Sequence, residues 1–193
     1  MPSVTDLDAL GRRLHEAYAS ADPIPPPAAS HDLSVADAYA VQAAALVPRL
    51  DAGATPVGYK LGFTNERIQS AWGFDRPAHG RLLSDAVVTD GVVATDDLIG
   101  PRVEAEIAVV LDAPLSGPTT VGEVLAATRA VVPALEVVDD RTTGETRATD
   151  AIADNALAAR FVPGEVTHDP AGRDWAFAGA RTRLDGRPVE TGV

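Results

Sequence analysis

The chain has 193 residues, a formal net charge of −12 at pH 7, 46% hydrophobic residues and no cysteine. This length fits one domain, and the acidic balance argues against nucleic acid or an anionic membrane as a partner. The lack of cysteine excludes disulfides, thiol catalysis and thiolate metal ligands. Because no apolar run reaches the roughly 18 residues of a membrane span and the N-terminus lacks a signal-peptide pattern, we expect a soluble cytoplasmic protein.

Residues 5–20 are predicted to form an amphipathic helix, which Thr5 or Asp6 is placed to cap. Prolines between Pro23 and Pro27 then break the chain into a short stiff linker. Apolar side chains of the helix recur at three- and four-residue spacing, at Leu7, Leu10, Leu14 and Tyr18.

A second, alanine-rich helix is predicted to follow and to end near Leu50. Ser34, with Asp37 three residues later, matches a capping box that uses the shorter acid. The pattern changes to short β segments at Pro56. We therefore expect residues 1–52 to form a helical arm ahead of a catalytic domain of residues 53–193.

The second part of the chain mixes short strands and helices, which places the protein in the α+β class. Residues 65–72 and 120–132 are predicted helices, and the polar stretch 141–150 is predicted to be a mobile loop. Strands are predicted at 57–63, 82–88, 92–94, 103–111, 133–138, 156–162, 175–184 and 187–190.

The last two strands are predicted to pair as a hairpin across Asp185-Gly186, a favoured turn pair. The chain stops just after this hairpin, so nothing in it covers the new edge strand, and an uncovered edge favours aggregation. We therefore expect the domain to be incomplete at its C-terminus.

Three glutamates interrupt strongly apolar segments. Glu104 and Glu106 lie in the strand 103–111 and point to the same face, about 7 Å apart. Glu136 lies in the strand 133–138 among apolar neighbours, where a lone buried carboxylate is costly. A wet face of an antiparallel sheet would also explain these residues. We favour a metal site of hard oxygen ligands for Mg²⁺ or Mn²⁺.

Lys60 is the only lysine in the chain. A bias against lysine is typical of salt-loving cells and of GC-rich genomes alike, so the one that remains needs a chemical reason. A lysine with a buried stem can move protons, which arginine cannot. A strand-end lysine that reaches water is the structural alternative. We favour a proton donor or acceptor, or a partner for a substrate carboxylate.

His79 is the histidine nearest to these segments, in a loop after Pro77. It is a candidate for the same site. The other histidines are scattered, and with no cysteine in the chain this makes zinc a poor candidate.

The order of these motifs resembles the 2-keto-4-pentenoate hydratase and 4-oxalocrotonate decarboxylase family, within the fumarylacetoacetate hydrolase superfamily. The resemblance extends over the whole chain. The segments that carry it are 58–64, Gln69, 73–80, 101–107, 132–139 with Arg141, and 152–156.

The resemblance implies a mixed β-roll of the fumarylacetoacetate hydrolase C-terminal-domain type with an N-terminal helical arm. It implies a homo-oligomeric, metal-dependent lyase that acts on short unsaturated 2-oxo or 2-hydroxy acids in meta-cleavage breakdown of aromatic compounds. Lys60 matches the active-site lysine of the family. Glu104, Glu106 and Glu136 match its ligands for Mg²⁺ or Mn²⁺. The positions that match residues shaping the substrate pocket are Asp139, Arg141, Asp154 and Asn155.

The chain departs from the family pattern in three places. Ala78 stands where hydratases usually carry an aspartate, which weakens hydratase and favours decarboxylase, and His79 is one position away from replacing it. Leu157 stands where relatives carry a serine, so substrate preference is expected to differ. The closing glycine-rich strands of typical relatives have no counterpart here.

Two other functions fit the same residues. An acylpyruvate-type C–C hydrolase would use the same kind of metal site, although the Lys60 motif and the helical arm argue against it. A non-catalytic, truncated subunit that binds a partner homologue would explain the missing strands.

Overall fold

The computed structural model of the protein describes residues 3–192. The first helix, α1, spans Val4–Ser20, and its cap is Ser3 instead of Thr5 or Asp6. The Ser3 hydroxyl accepts from the Asp6 amide at 3.2 Å, and the Asp6 carboxylate accepts from the Ser3 amide at 2.8 Å. Asp6 thus has the acidic role in the capping box, three residues after the cap.

The second helix, α2, spans Val35–Asp51, and its capping box of Ser34 and Asp37 is confirmed. The two helices pack closely, since a Cβ at Gly11 would lie 2.5 Å from Ala44 Cβ. Each leucine of α1 that this packing buries stabilises the fold by roughly 1.5–3 kcal/mol. The leucines that α1 contributes to the core are Leu7, Leu10 and Leu14.

The lysine segment forms the strand β1, Pro56–Gly62, antiparallel to β2, Ala78–Leu83. The helix α3, Glu66–Ala71, lies between them in sequence and is capped by Asn65. The strand predicted over 82–88 is confirmed at Leu82 and Leu83, which belong to β2, and is wrong from Ser84, where the chain turns into a 3-10 helix. The stretch 92–94 is likewise no strand. Strand β2 begins at Ala78, earlier than predicted, because the residues before Leu82 also pair with β1. Their polar sequence does not indicate a strand.

The glutamates lie on β3, Arg102–Leu111, and β4, Thr128–Val138. The helix α4, Val121–Ala127, separates them and ends earlier than the predicted residue 132. Its cap is the predicted box of Thr120 and Glu123. The chain changes from helix to strand at Thr128, where β-branched residues favour an extended backbone. With β5, Ala158–Pro163, the strands follow the order β3-β4-β5.

The polar stretch 141–150 is irregular as far as Arg147, as the predicted loop requires, but its last three residues belong to a helix, and Arg141, Thr142 and Asp150 are buried. The predicted mobility of this stretch stays a prediction. Asp150 lies in the first turn of the last α-helix, α5, Ala148–Ala153, and is fully buried. Its carboxylate accepts from the Ala28 amide at 2.7 Å and from the Arg147 amide at 3.0 Å. Buried polar groups that are all hydrogen-bonded can belong to a core, which residue polarity alone does not reveal.

The C-terminal hairpin is confirmed as β6, Ala180–Leu184, and β7, Arg187–Gly192. Asp185 and Gly186 both have positive φ, 50° and 77°, as a two-residue type I′ turn requires. The chain forms a 3-10 helix at Trp175–Phe177, so β6 begins later than the predicted residue 175.

The chain divides into two compact units, and its mixture of helices and strands confirms the α+β class. Unit 1 comprises residues 1–102 and 137–161, and unit 2 comprises residues 103–136 and 162–193. Within residues 3–192, none of the helices combines the length and apolar character that crossing a bilayer requires.

Candidate metal centre and lysine site

Unit 2 brings together three carboxylates. Alternation along β3 puts Glu104 and Glu106 on one face, and β4 supplies Glu136. One carboxylate oxygen from each lies within 4.8 Å of the others. Glu104 and Glu106 are exposed, whereas Glu136 is only 2% exposed.

This cluster fits a divalent cation by its chemistry. Three negative charges at such distances repel one another, and burial of Glu136 adds a desolvation cost. A hard cation between them would offset both terms, and an all-oxygen donor set suits Mg²⁺ or Mn²⁺. Among residues 3–192 this is the group of acidic or histidine side chains whose geometry could hold a metal.

Unit 1 contains Lys60, half-buried on β1 and paired in register with Gly80 of β2. Its Nζ donates a hydrogen bond to the carbonyl oxygen of Ala156 at 3.0 Å. The side chain therefore has an acceptor inside the protein, and one donor position of the ammonium group is directed at it.

The acceptor belongs to an unusual backbone segment. Asn155, Ala156 and Leu157 all have positive φ, at 54°, 51° and 64°. A left-handed conformation costs about 1–2 kcal/mol for a residue with a Cβ. Such strain persists only where the surroundings fix it, and it is common at functional sites. We call residues 155–157 the left-handed turn.

Strand β2 holds the left-handed turn from one side. The Asn155 side chain accepts from the Arg81 amide at 2.7 Å and donates to the Arg81 carbonyl at 3.0 Å. Gly80 makes this approach possible, because a Cβ there would lie 2.2 Å from the Asn155 carbonyl oxygen.

A buried ion pair precedes the turn. Arg141 Nε donates to Asp154 Oδ1 at 2.7 Å, and Arg141 Nη2 donates to the Asp154 carbonyl at 2.7 Å. The Arg141 amide also donates to Asp154 Oδ2 at 2.9 Å. Burial raises the pKa of Asp154 to about 6, although Arg141 opposes this rise. The pair fixes the chain entering the turn.

Asp139 completes the frame. Its carboxylate accepts from the amides of Ile99, at 3.0 Å, and Gly100, at 2.7 Å. Its own amide donates to the Leu157 carbonyl at 2.9 Å. Each of the four residues predicted to shape the pocket is thus buried and bonded to backbone groups of unit 1: Asp139, Arg141, Asp154 and Asn155.

His79 packs against the second helix. Its ring stacks on Tyr39 with centroids 4.5 Å apart, and its amide donates to the Tyr39 hydroxyl at 3.2 Å. Burial, and then the charge of Arg81, lower the pKa of His79, which favours a neutral imidazole at neutral pH. Ala78, beside it, is buried at the start of β2.

Several residues that support this region carry no clear signal in the sequence. Gln42 of α2 is buried and donates to the carbonyls of Ile152, at 2.8 Å, and His79, at 3.0 Å. Tyr18 of α1 lies 4.5 Å from the Arg49 guanidinium. Gln42 could have been found from the sequence, because it is a polar amide among the alanines of α2.

Comparison with known proteins shows which family the chain resembles over nearly its whole length. The chain is 35% identical to a 2-hydroxypent-2,4-dienoate hydratase from Pseudomonas putida over 194 residues, which covers 98% of the chain and 87% of the relative. It is 35% identical to a 4-oxalocrotonate decarboxylase from a Pseudomonas species, covering 97% of the chain and 73% of that relative. No family model matches the chain.

A solved structure shares the fold. The 4-oxalocrotonate decarboxylase from Pseudomonas putida G7, complexed with magnesium and adipate, superposes with a TM-score of 0.94 at 32% identity. The match covers 100% of this chain and 74% of that structure. A likeness of this extent in sequence and in structure identifies the chain as a member of the 2-keto-4-pentenoate hydratase and 4-oxalocrotonate decarboxylase family of lyases.

Proposed function

We propose that the protein acts on short unsaturated 2-oxo or 2-hydroxy acids in meta-cleavage aromatic catabolism. The reaction is hydration of 2-hydroxypenta-2,4-dienoate or decarboxylation of 4-oxalocrotonate. The observation that carries this proposal is the carboxylate cluster of Glu104, Glu106 and Glu136, whose oxygens lie within 4.8 Å of one another. The names of the relatives support the substrate class.

The three glutamates would hold Mg²⁺ or Mn²⁺, in keeping with the magnesium complex of the related decarboxylase. When bound, the cation supplies Lewis-acid stabilisation of negative charge that develops on substrate oxygen. Glu136 would be the anchor, because its burial limits its movement and excludes water from one side of the cluster.

Lys60 would move a proton during the reaction, as donor or acceptor. An ammonium has three donors, and the bond to the Ala156 carbonyl orients the group. Arginine would keep the charge but could not transfer the proton.

Asp139, Arg141, Asp154 and Asn155 would shape the pocket by fixing backbone segments, since their side chains already bond to the protein interior. His79, held by Tyr39, would contribute a neutral ring to the substrate pocket. The first four roles follow from the match of Asp139, Arg141, Asp154 and Asn155 to the family pattern, whereas the role of His79 rests on its place beside Ala78 and its contact with Tyr39.

The finer architecture is also part of the proposal. Residues 1–52 would form the helical arm, and residues 53–193 the catalytic domain, with a β-roll of the fumarylacetoacetate hydrolase type. A homo-oligomer, or a complex with a partner homologue, would cover the apolar residues that β3 exposes, which include Val103 and Val109.

Ala78 favours the decarboxylase over the hydratase, because the buried methyl group offers nothing to position water. An acylpyruvate hydrolase and a non-catalytic partner subunit remain the competing functions, and the same assay separates them.

The test is turnover by the purified chain with each acid separately, in Mg²⁺, Mn²⁺ or chelator, beside Lys60→Ala. Loss of the ultraviolet band of the dienol without CO₂ would establish the hydratase, and CO₂ from the diacid the decarboxylase. Pyruvate release from acylpyruvates would replace the proposal with the hydrolase. Metal binding without any turnover would replace it with the non-catalytic subunit.

A further inference from the structure

Each of the three carbonyl groups of the left-handed turn accepts a hydrogen bond from a different part of unit 1. The Asn155 carbonyl accepts from the Ala158 amide, and the Leu157 carbonyl accepts from the Asp139 amide at 2.9 Å. The Ala156 carbonyl, between them, accepts from Lys60 Nζ. A right-handed backbone at these residues would aim the middle carbonyl elsewhere, so the strain and the lysine contact belong together.

Two features of β2 hold the turn in this conformation. The side-chain amide of Asn155 bonds to the backbone amide and carbonyl of Arg81, at 2.7 and 3.0 Å, as a neighbouring strand would. Gly80 leaves the space that the Asn155 carbonyl occupies. Gly80 is also the register partner of Lys60. The glycine that leaves space for the turn therefore lies opposite the lysine whose ammonium bonds to the turn.

We infer that Gly80 and Asn155 are positioning residues that aim the Lys60 ammonium through the left-handed turn. This rests on the proposed role of Lys60 in proton transfer. Asn155 then acts on the reaction through the Ala156 carbonyl and not by contact with substrate. Reactions that depend on proton transfer are sensitive to such placement, because a shift of about 1 Å costs up to about 100-fold in rate.

The single lysine makes this inference directly observable. Labelling the full chain with [¹⁵N]lysine gives one side-chain ammonium signal, which reports the bond to Ala156 independently of turnover. Gly80→Ala adds a methyl group where the Asn155 carbonyl lies. Asn155→Ala removes both bonds to Arg81 without adding an atom, and it carries the test if Gly80→Ala does not fold.

We expect both variants to shift the Lys60 ammonium signal or to speed its hydrogen exchange with water. We expect kcat to fall by about 10- to 100-fold with KM changed far less. Gly62→Ala is the matched control at the end of the same strand pair, since a Cβ there meets nothing within 4 Å. Its signal and kcat should equal those of the parent protein.

An unchanged ammonium signal and unchanged kcat in a folded Gly80→Ala or Asn155→Ala variant would overturn the inference. Lack of turnover by the parent protein would contradict the proposed function alone. The ammonium signal would then still decide whether the turn holds Lys60.

Discussion

Unit 1 and unit 2 hold their polar residues by different means. In unit 1, Arg141, Asp154 and Asn155 are buried, and each is bonded to neighbouring backbone groups. In unit 2, Glu104, Glu106 and Glu136 gather like charges, two of them exposed. The first arrangement is organised by the fold, whereas the second is stabilised best by a cation from outside. Substitutions in unit 1 should therefore lower stability, whereas substitutions in unit 2 should weaken metal binding.

The largest effect is expected on stability, from breaking the ion pair of unit 1. Arg141→Ala leaves the Asp154 carboxylate buried without its partner, which typically costs about 3–5 kcal/mol. Urea unfolding without added metal measures this loss. Arg183→Ala, at an exposed arginine, is the control and should change little. Equal stability of the two variants would refute the view that the pair organises unit 1.

Breaking the cluster of unit 2 should act on metal binding instead. Glu136→Gln removes a charged ligand, and we expect Mg²⁺ affinity and turnover to fall by at least about 100-fold, since even outer partners of metal ligands cost 10- to 100-fold. Calorimetric titration with Mg²⁺ measures the affinity.

The metal-free stability of this variant should not fall, because the substitution relieves repulsion between carboxylates. Glu165→Gln, an exposed position in unit 2, is the matched control. Retained Mg²⁺ affinity in Glu136→Gln would remove the cluster from consideration as the metal site.

The smallest effect concerns pH. Burial raises the pKa of Asp154 to about 6, so the folded chain keeps this proton in a range where the unfolded chain has lost it. The contribution of Asp154 to the free energy of unfolding therefore falls as pH rises from about 4 to 6, by less than about 1.4 kcal/mol per pH unit, and is constant above that.

Asp154→Asn lacks this titration. The stability of the parent protein minus that of Asp154→Asn should thus decrease between pH 4 and 6, as followed by chemical unfolding at each pH. A difference that stays flat or increases would mean that Asp154 is ionised throughout this range.

Local sequence determined the elements whose signals are local. The capping boxes of Ser34 and Thr120, the helical periodicity of α1 and the Asp185-Gly186 turn each act within a few residues, and the structure contains all of them. Alternation along β3 likewise determined that Glu104 and Glu106 share a face.

Tertiary structure decided what depends on distant partners. Asp150 looks like part of a polar loop, yet it is buried and accepts from the Ala28 amide, more than a hundred residues away in sequence. The left-handed turn contains no glycine that would predict positive φ, and its stability depends on distant residues: the space above Gly80, the bonds to Arg81 and the bond from Asp139. The meeting of Glu136 with the β3 glutamates also required the sheet, because strand order is set by contacts that no local pattern encodes.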